Sequence, residues 1–171
     1  MCSMALPWSY SKLSLFKKCP YAFALRYIQK VPSVESPASA RGSMIHQKLG
    51  LYIEGKNVDL LFGGSKTLPT AIHMDAMPFM EDLRKRFADH RDMVGIEYDI
   101  KTSAAWKVVE GEEPYWGRLI YDFVDMRGSL IVDFKTGKSY PSHEEQAKYY
   151  ALGFYRLSKG ILPRVLFATV S

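Results

Sequence analysis

The chain has 171 residues, 47% of them hydrophobic and 24% charged, which suits one soluble globular domain whose core holds without disulfides. No apolar run approaches the roughly 18 residues of a membrane span, no basic-then-apolar leader opens the sequence, and Cys2 and Cys19 form neither a CxxC pair nor a Cys/His cluster. The expectation is therefore an intracellular, cytoplasmic protein with no zinc site, and the net charge of +5 suits a polyanionic partner without requiring one.

Residues 9–28 read as helical, with Leu13, Phe16, Phe23, Leu25 and Tyr27 as apolar positions; Ser9 or Ser11 caps the start, and Pro20 breaks the run into two short helices. Residues 31–39, rich in Pro and Ser, read as a loop. A second helix is expected over about 40–54. Ile45, Leu49, Tyr52 and Ile53 form its apolar stripe, His46 lies beside that stripe, and Gly55 ends it. Residues 57–70, with Gly63-Gly64, read as an irregular connection, and 77–91 as a charged amphipathic helix. Its Arg84, Lys85, Arg86 and Arg91 read as a solvated face, the alternative being a track for a phosphate backbone.

From Val94 the pattern turns to short β-prone runs over 94–101, 105–109, 115–124 and 130–136, with turn signals at 110–113 and 125–129. Ser142 and Glu145 then make a capping box for a helix reaching about Ser158, with Ala147, Tyr150, Ala151 and Phe154 on one face. Residues 164–170 read as a last strand. This order predicts an α/β fold, a central mixed sheet flanked by helices. One domain is expected over 1–171, mainly helical over 1–92 and a sheet core over 93–171.

The chemistry concentrates in the hairpin. In the strand of Ile131, Val132, Asp133, Phe134 and Lys135, alternation puts Asp133 and Lys135 on one face and Val132 and Phe134 on the other. An acid and a lysine on a buried face are costly without partners, and a divalent cation and a phosphate supply them. If the loop between the strands has an even number of residues, such as 126–129, Asp122 falls opposite Asp133, with Cβ atoms roughly 4.5–5.5 Å apart. Two carboxylates so close call for a cation, and their hard oxygens suit Mg²⁺ or Mn²⁺. A three-residue loop puts the acids on opposite faces and removes the argument. Glu97 is a possible additional acid, with a partly exposed strand glutamate as the plainer reading. Asp125 is the weaker rival to Asp122. Trp8, Trp106 and Trp116 read as packing residues, the alternative being base stacking.

The order of these pieces resembles the RecB-like, AddB-like branch of the PD-(D/E)XK nuclease superfamily, which includes many phage exonucleases. Ser9, Ser11, Leu13, Phe16, Cys19, Pro20 and Phe23 are similar to its N-terminal helix pair, and Gly42 with His46 to its "G…H" motif. Gly117 with Asp122 resembles "G..D", at a longer spacing. Asp133-Phe-Lys135-Thr-Gly137 resembles "D-[YF]-K-T-G", and Gln146 with Tyr150 resembles "Q…Y". The resemblance implies a restriction-endonuclease-like core. It implies His46, Asp122, Asp133 and the Phe134 backbone carbonyl as metal ligands, Lys135 as the residue that positions or activates water, and Gln146 and Tyr150 as support or substrate contacts. Some relatives carry an iron–sulfur cluster; with no cysteine after Cys19 that cluster cannot form within this chain, and Cys19 is expected in the core. The implied activity is Mg²⁺- or Mn²⁺-dependent hydrolysis of DNA, by an exonuclease on ends or single strands in recombination, repair or phage replication. The alternatives are a structure-specific endonuclease for junctions or flaps, and an inactive nucleic-acid-binding protein on the same fold.

Overall fold

The computed structural model describes residues 6–56, 77–136 and 142–170. The connection expected over 57–70, Gly137 of the signature and the Ser142 hydroxyl of the capping box lie outside the described residues and side chains.

Ser9 starts α1 (Tyr10–Lys18) by accepting from the Lys12 amide at 3.4 Å. As expected, Pro20 divides the helical run, because its missing N–H suits the first turn of a new helix rather than the middle of an old one. Cys19 caps that new helix, α2 (Pro20–Phe23), its Sγ accepting from the Ala22 amide at 3.4 Å. Cys19 is thus a half-buried cap and not the core residue expected. The chain continues as a π-helical turn over Ala24–Ile28.

Helix α3 (Pro37–Ile53) begins three residues earlier than the sequence suggests, because Ser36 accepts from the Ser39 amide at 3.1 Å and Pro37 occupies the first turn. Gly55, at φ 76°, follows its end. Helix α4 spans Met77–Asp89 and helix α5 Ser142–Leu157.

Four strands, β1 (Val94–Thr102), β2 (Gly117–Asp125), β3 (Leu130–Thr136) and β4 (Arg164–Val170), form one sheet in that order. β1, β2 and β3 are antiparallel neighbours, and β4 joins β3 in parallel after the α5 crossover. The strand expected over 105–109 is absent. Its place is taken by a turn in which Ser103 and Lys107 exchange bonds, Trp106 sits at φ 60°, and only a single bridge links Val108 to Thr102. The segment touches the end of β1 at Val108 and Val109, but the turn at Trp106 keeps the pairing from extending, so propensity alone does not make a strand.

Two apolar clusters sandwich the sheet. Ile45, Leu49 and Ile53 of α3, with Met80 and Leu83 of α4, meet Val94, Phe123, Val132 and Phe134. Tyr150 and Phe154 of α5 meet Ile100, Leu119, Tyr121, Val124 and Ile131 on the opposite face. Gly153 lets α5 come this close: a Cβ there would collide with Leu119 and stand 3.1 Å from the Tyr121 hydroxyl oxygen. No helix among the described residues is long and apolar enough to cross a membrane.

Cluster membership exposes an irregularity that positions the site. In β3 the faces alternate regularly, but in β2 Leu119 and Tyr121 face α5 while Phe123, two residues on, faces α3 and α4. β1 switches likewise between Ile96 and Ile100. The one rung missing from the β1–β2 ladder, between Ile96↔Phe123 and Tyr98↔Tyr121, is that of Glu97 and Asp122, and Glu97 sits at φ 47°. The two acids occupy the point where the paired strands change face.

Candidate active site and metal centre

The loop between β2 and β3 is the four residues 126–129, flanked by the pair Asp125↔Leu130, so the even count holds. By that register Asp122 stands across from Asp133, one step past the last paired rung, Phe123↔Val132. The ladder ends there because the Asp122 side chain takes over: its Oδ2 accepts the Phe134 N–H at 2.6 Å. The switch of face in β2 also turns Asp122 toward α3, where the His46 Nδ1 lies 3.3 Å from its Oδ2.

Ligand atoms of His46, Glu97 and Asp122 all lie within 4.8 Å of one another, the group among the described residues able to hold a metal ion. One imidazole nitrogen and two carboxylate oxygens form a donor set for a divalent cation that prefers oxygen. Glu97 sits at positive φ where its rung leaves the ladder, a backbone conformation that costs a non-glycine residue about 1–2 kcal/mol. Burial raises the Glu97 carboxyl above its usual range, with the Asp122 charge adding to the effect and His46 opposing it. Burial alone would disfavour a charged His46, but the hydrogen bond and charge of Asp122, with Glu97 and Asp133 behind it, raise its pKa overall.

Asp133 stands beside this group and faces α5, as the alternation of β3 requires. Its Oδ1 accepts from the Gln146 Nε2 at 2.9 Å. Its Oδ2 is sealed from solvent and has the Lys135 ammonium beside it at 2.5 Å. Burial, followed by the charge of Asp122, pushes the Asp133 carboxyl up to about 6 from 3.8, with Lys135 and His46 pulling the other way. A buried carboxylate whose pKa stays raised despite its lysine partner, next to three metal-type ligands, fits a bound cation.

Gln146 ties the rest together. Its carbonyl oxygen accepts from the Lys135 Nζ at 2.8 Å, and its amide nitrogen also reaches the Tyr150 hydroxyl at 3.0 Å, one turn along α5. Tyr150 is fixed in turn by Tyr121, whose hydroxyl donates to the Tyr150 carbonyl at 3.3 Å. Of the expected residues, His46, Asp122, Glu97, Asp133, Lys135, Gln146 and Tyr150 are therefore brought into one contiguous region. Phe134 contributes its N–H to Asp122 and sets its ring edge-on to His46 at 6.2 Å.

A scan of protein-family models matches residues 7–158 to the PD-(D/E)XK nuclease superfamily. The chain belongs to this superfamily. No curated protein and no solved structure matches it. The four-strand mixed sheet flanked by helices is consistent with the superfamily's restriction-endonuclease-like core, and membership makes the chain a nuclease of a class that uses divalent metals.

Other candidates separate cleanly. Asp125, the rival acid, is held by Arg86 at 2.9 Å and accepts from the Gly128 amide at 2.7 Å, so it pins the turn and the end of α4. Trp8 stacks on Phe23 at 6.1 Å, and Trp106 meets Trp116 edge-on at 5.8 Å. Arg84 and Arg91 lie over the rings of Tyr52 and Phe87. Three residues near the site are not singled out by the sequence: Tyr10, whose hydroxyl pKa is raised by burial and then by the Glu145 charge, and His143 and Phe167, whose rings lie 5.4 Å apart. Phe167 lies across from Asp133 in the register of β3 and β4, which strand period alone does not give.

Proposed function

We propose that this nuclease hydrolyses DNA phosphodiester bonds with Mg²⁺ or Mn²⁺, acting as an exonuclease on ends or single strands. The observation that carries the reading is the juxtaposition of the His46, Glu97 and Asp122 ligand atoms with Asp133 and Lys135. His46, Asp122 and Asp133 would hold the cation, with Glu97 and the Phe134 carbonyl as additional ligands. A cation bound there lowers the pKa of water and neutralises charge on the phosphate. With Asp133 engaged by a cation, the Lys135 ammonium would be available to orient water and to stabilise charge on the phosphate oxygens. Gln146 keeps both residues in register, since it holds Asp133 with one end and Lys135 with the other. Tyr150 fixes Gln146 from one turn away. The basic charge of the chain supports a polyanionic substrate.

The test is digestion of end-labelled linear DNA and closed circular single-stranded DNA with Mg²⁺, Mn²⁺ or EDTA. Cleavage of linear DNA alone is expected, dependent on metal and abolished in Asp133→Ala and Lys135→Ala. Equal cutting of the circle refutes the exonuclease reading, and wild-type activity in either variant refutes the assignment of the site.

A further inference from the structure

Lys135 is the mobile charge of the proposed site, and two of its directions are accounted for by Asp133 at 2.5 Å and Gln146 at 2.8 Å. The first would be weakened if Asp133 engaged a cation, and the second comes from a side chain that Lys135 shares with Asp133. A third contact does not involve any group that changes partner. The Lys135 Nζ sits over the ring of Phe167, 5.5 Å from its centroid. Phe167 lies on β4 across from Asp133 in the parallel register, and Thr169 lies across from Lys135, so the ring stands alongside the D-x-K segment, held by strand pairing rather than by a loop. His143, in the first turn of α5, sets its own ring against the same aromatic at 5.4 Å with a 31° tilt. Phe167 is therefore fixed from two elements, the sheet and the helix that carries Gln146. Burial, and then the Lys135 charge, hold the His143 pKa below its ordinary value, consistent with a neutral ring packed close to that ammonium.

We propose that Phe167 is a positioning residue for the nuclease reaction: its ring face, steadied by His143, holds the Lys135 ammonium at the site by a cation–π contact when Asp133 is drawn away by metal. An ammonium over an aromatic face is favoured by the ring quadrupole without a hydrogen bond, so the contact limits where Lys135 can go while leaving its protons for water and phosphate. An aliphatic side chain of similar bulk fills the space but lacks the quadrupole. The role belongs to the face of the ring and not to apolar volume.

This inference rests on the proposed role of Lys135, and the experiment separates the two. Steady-state cleavage of linear DNA with Mn²⁺ is compared among wild type, Phe167→Leu, Phe167→Tyr and Phe167→Trp. Phe167→Leu is expected to lower kcat by about 2- to 30-fold, the span of a cation–π contact between exposed and desolvated settings, with KM and calorimetric Mn²⁺ affinity within about 2-fold of wild type. Phe167→Tyr and Phe167→Trp restore kcat to within about 2-fold. Wild-type kcat in Phe167→Leu, an equal loss in Leu and Tyr variants, or a loss confined to KM each overturns the proposal. If wild-type protein shows no metal-dependent cleavage, it is the nuclease reading that fails. The contact itself is then read by NMR: the Lys135 side-chain Hε resonance, assigned by its loss in Lys135→Arg, is shifted upfield by the ring in wild type and moves to its ordinary position in Phe167→Leu. An unshifted wild-type resonance also overturns the proposal.

Discussion

Without a bound cation this fold is expected to lose stability as pH rises, by an amount set by the surroundings of Asp133. The Asp133 carboxyl, buried beside Asp122, is raised to about 6 from 3.8. Below pH ~4 it is protonated in both the folded and the unfolded chain and costs nothing. As pH passes that value the unfolded chain ionises first, so stability falls until pH passes about 6, a total of roughly 3 kcal/mol for a shift of about two units. Between pH 5 and 8 the portion lost is about 1.4 kcal/mol by the same linkage. His46 and Glu97 have the same sign. A raised imidazole pKa contributes stability below 6.5 that disappears as pH climbs through the folded value, and a raised carboxyl pKa acts as Asp133 does. The Asp99–Arg118 pair has the opposite sign, since Arg118 lowers the Asp99 pKa, but its contribution is lost only in acid below this window.

The assay is urea unfolding followed by circular dichroism, in EDTA at pH 5, 6, 7 and 8, for wild type and Asp133→Asn. The Asn oxygen still accepts from Gln146, so the change removes chiefly the charge. The stability of Asp133→Asn relative to wild type is expected to increase by about 1.4 kcal/mol from pH 5 to pH 8, any fixed packing difference cancelling in the comparison. Saturating Mn²⁺ is expected to reverse the trend for wild type alone, because the deprotonated ligands then bind a cation that the unfolded chain does not organise. A difference between the two proteins that stays constant with pH, or that Mn²⁺ leaves unchanged, refutes the claim that buried like charge at Asp133 awaits a cation.

Glu97→Gly relieves the positive φ, so the metal-free fold gains about 1 kcal/mol in urea unfolding while calorimetric Mn²⁺ affinity falls; a destabilised variant counts against strain at this position. Asp125→Ala breaks the tie from Arg86 to the turn and costs about 1–3 kcal/mol, with Mn²⁺ affinity unchanged, whereas lost affinity would restore Asp125 as a ligand. Gly153→Ala forces α5 off the sheet, so thermal unfolding should show a loss of about 1–3 kcal/mol together with a lower kcat as Gln146 moves. A kcat equal to that of wild type in this variant would mean that the close approach of α5 does not set the site.

Much of the site was legible because it depends on local periodicity and on order along the chain. The alternation in β3 correctly separated Asp133 and Lys135 from Val132 and Phe134, and the four-residue spacing of Gln146 and Tyr150 placed both on one helix face. The strand expected over 105–109 failed because β propensity records how a side chain suits a sheet and not whether the backbone continues a ladder, which the turn at Trp106 interrupts. Cys19 was misread for a related reason. Burial is the usual fate of a free cysteine, but the break imposed by Pro20 created an amide in need of a cap.

The switch of face at Glu97 and Asp122 could not be read in advance, and it decides what the hairpin does. A regular ladder would set Asp122 and Asp133 side by side on one face, and the even loop length satisfies that count. Instead the missing rung lets Asp122 turn to His46 and take the Phe134 amide, while Asp133 keeps the α5 face and pairs with Lys135 and Gln146. The two carboxylates then serve different neighbours. One belongs to an imidazole–carboxylate donor group reached from α3, the other to a lysine–amide pair reached from α5. A site split in this way needs an element common to both halves, and the segment from Asp133 to Lys135 provides it. Its Phe134 amide is bonded to one half, and its side chains at 133 and 135 form the other. Shifting β3 by one residue would exchange its two faces and disconnect both halves at once, so the register of this strand, more than any single ligand, is the condition on which the arrangement depends.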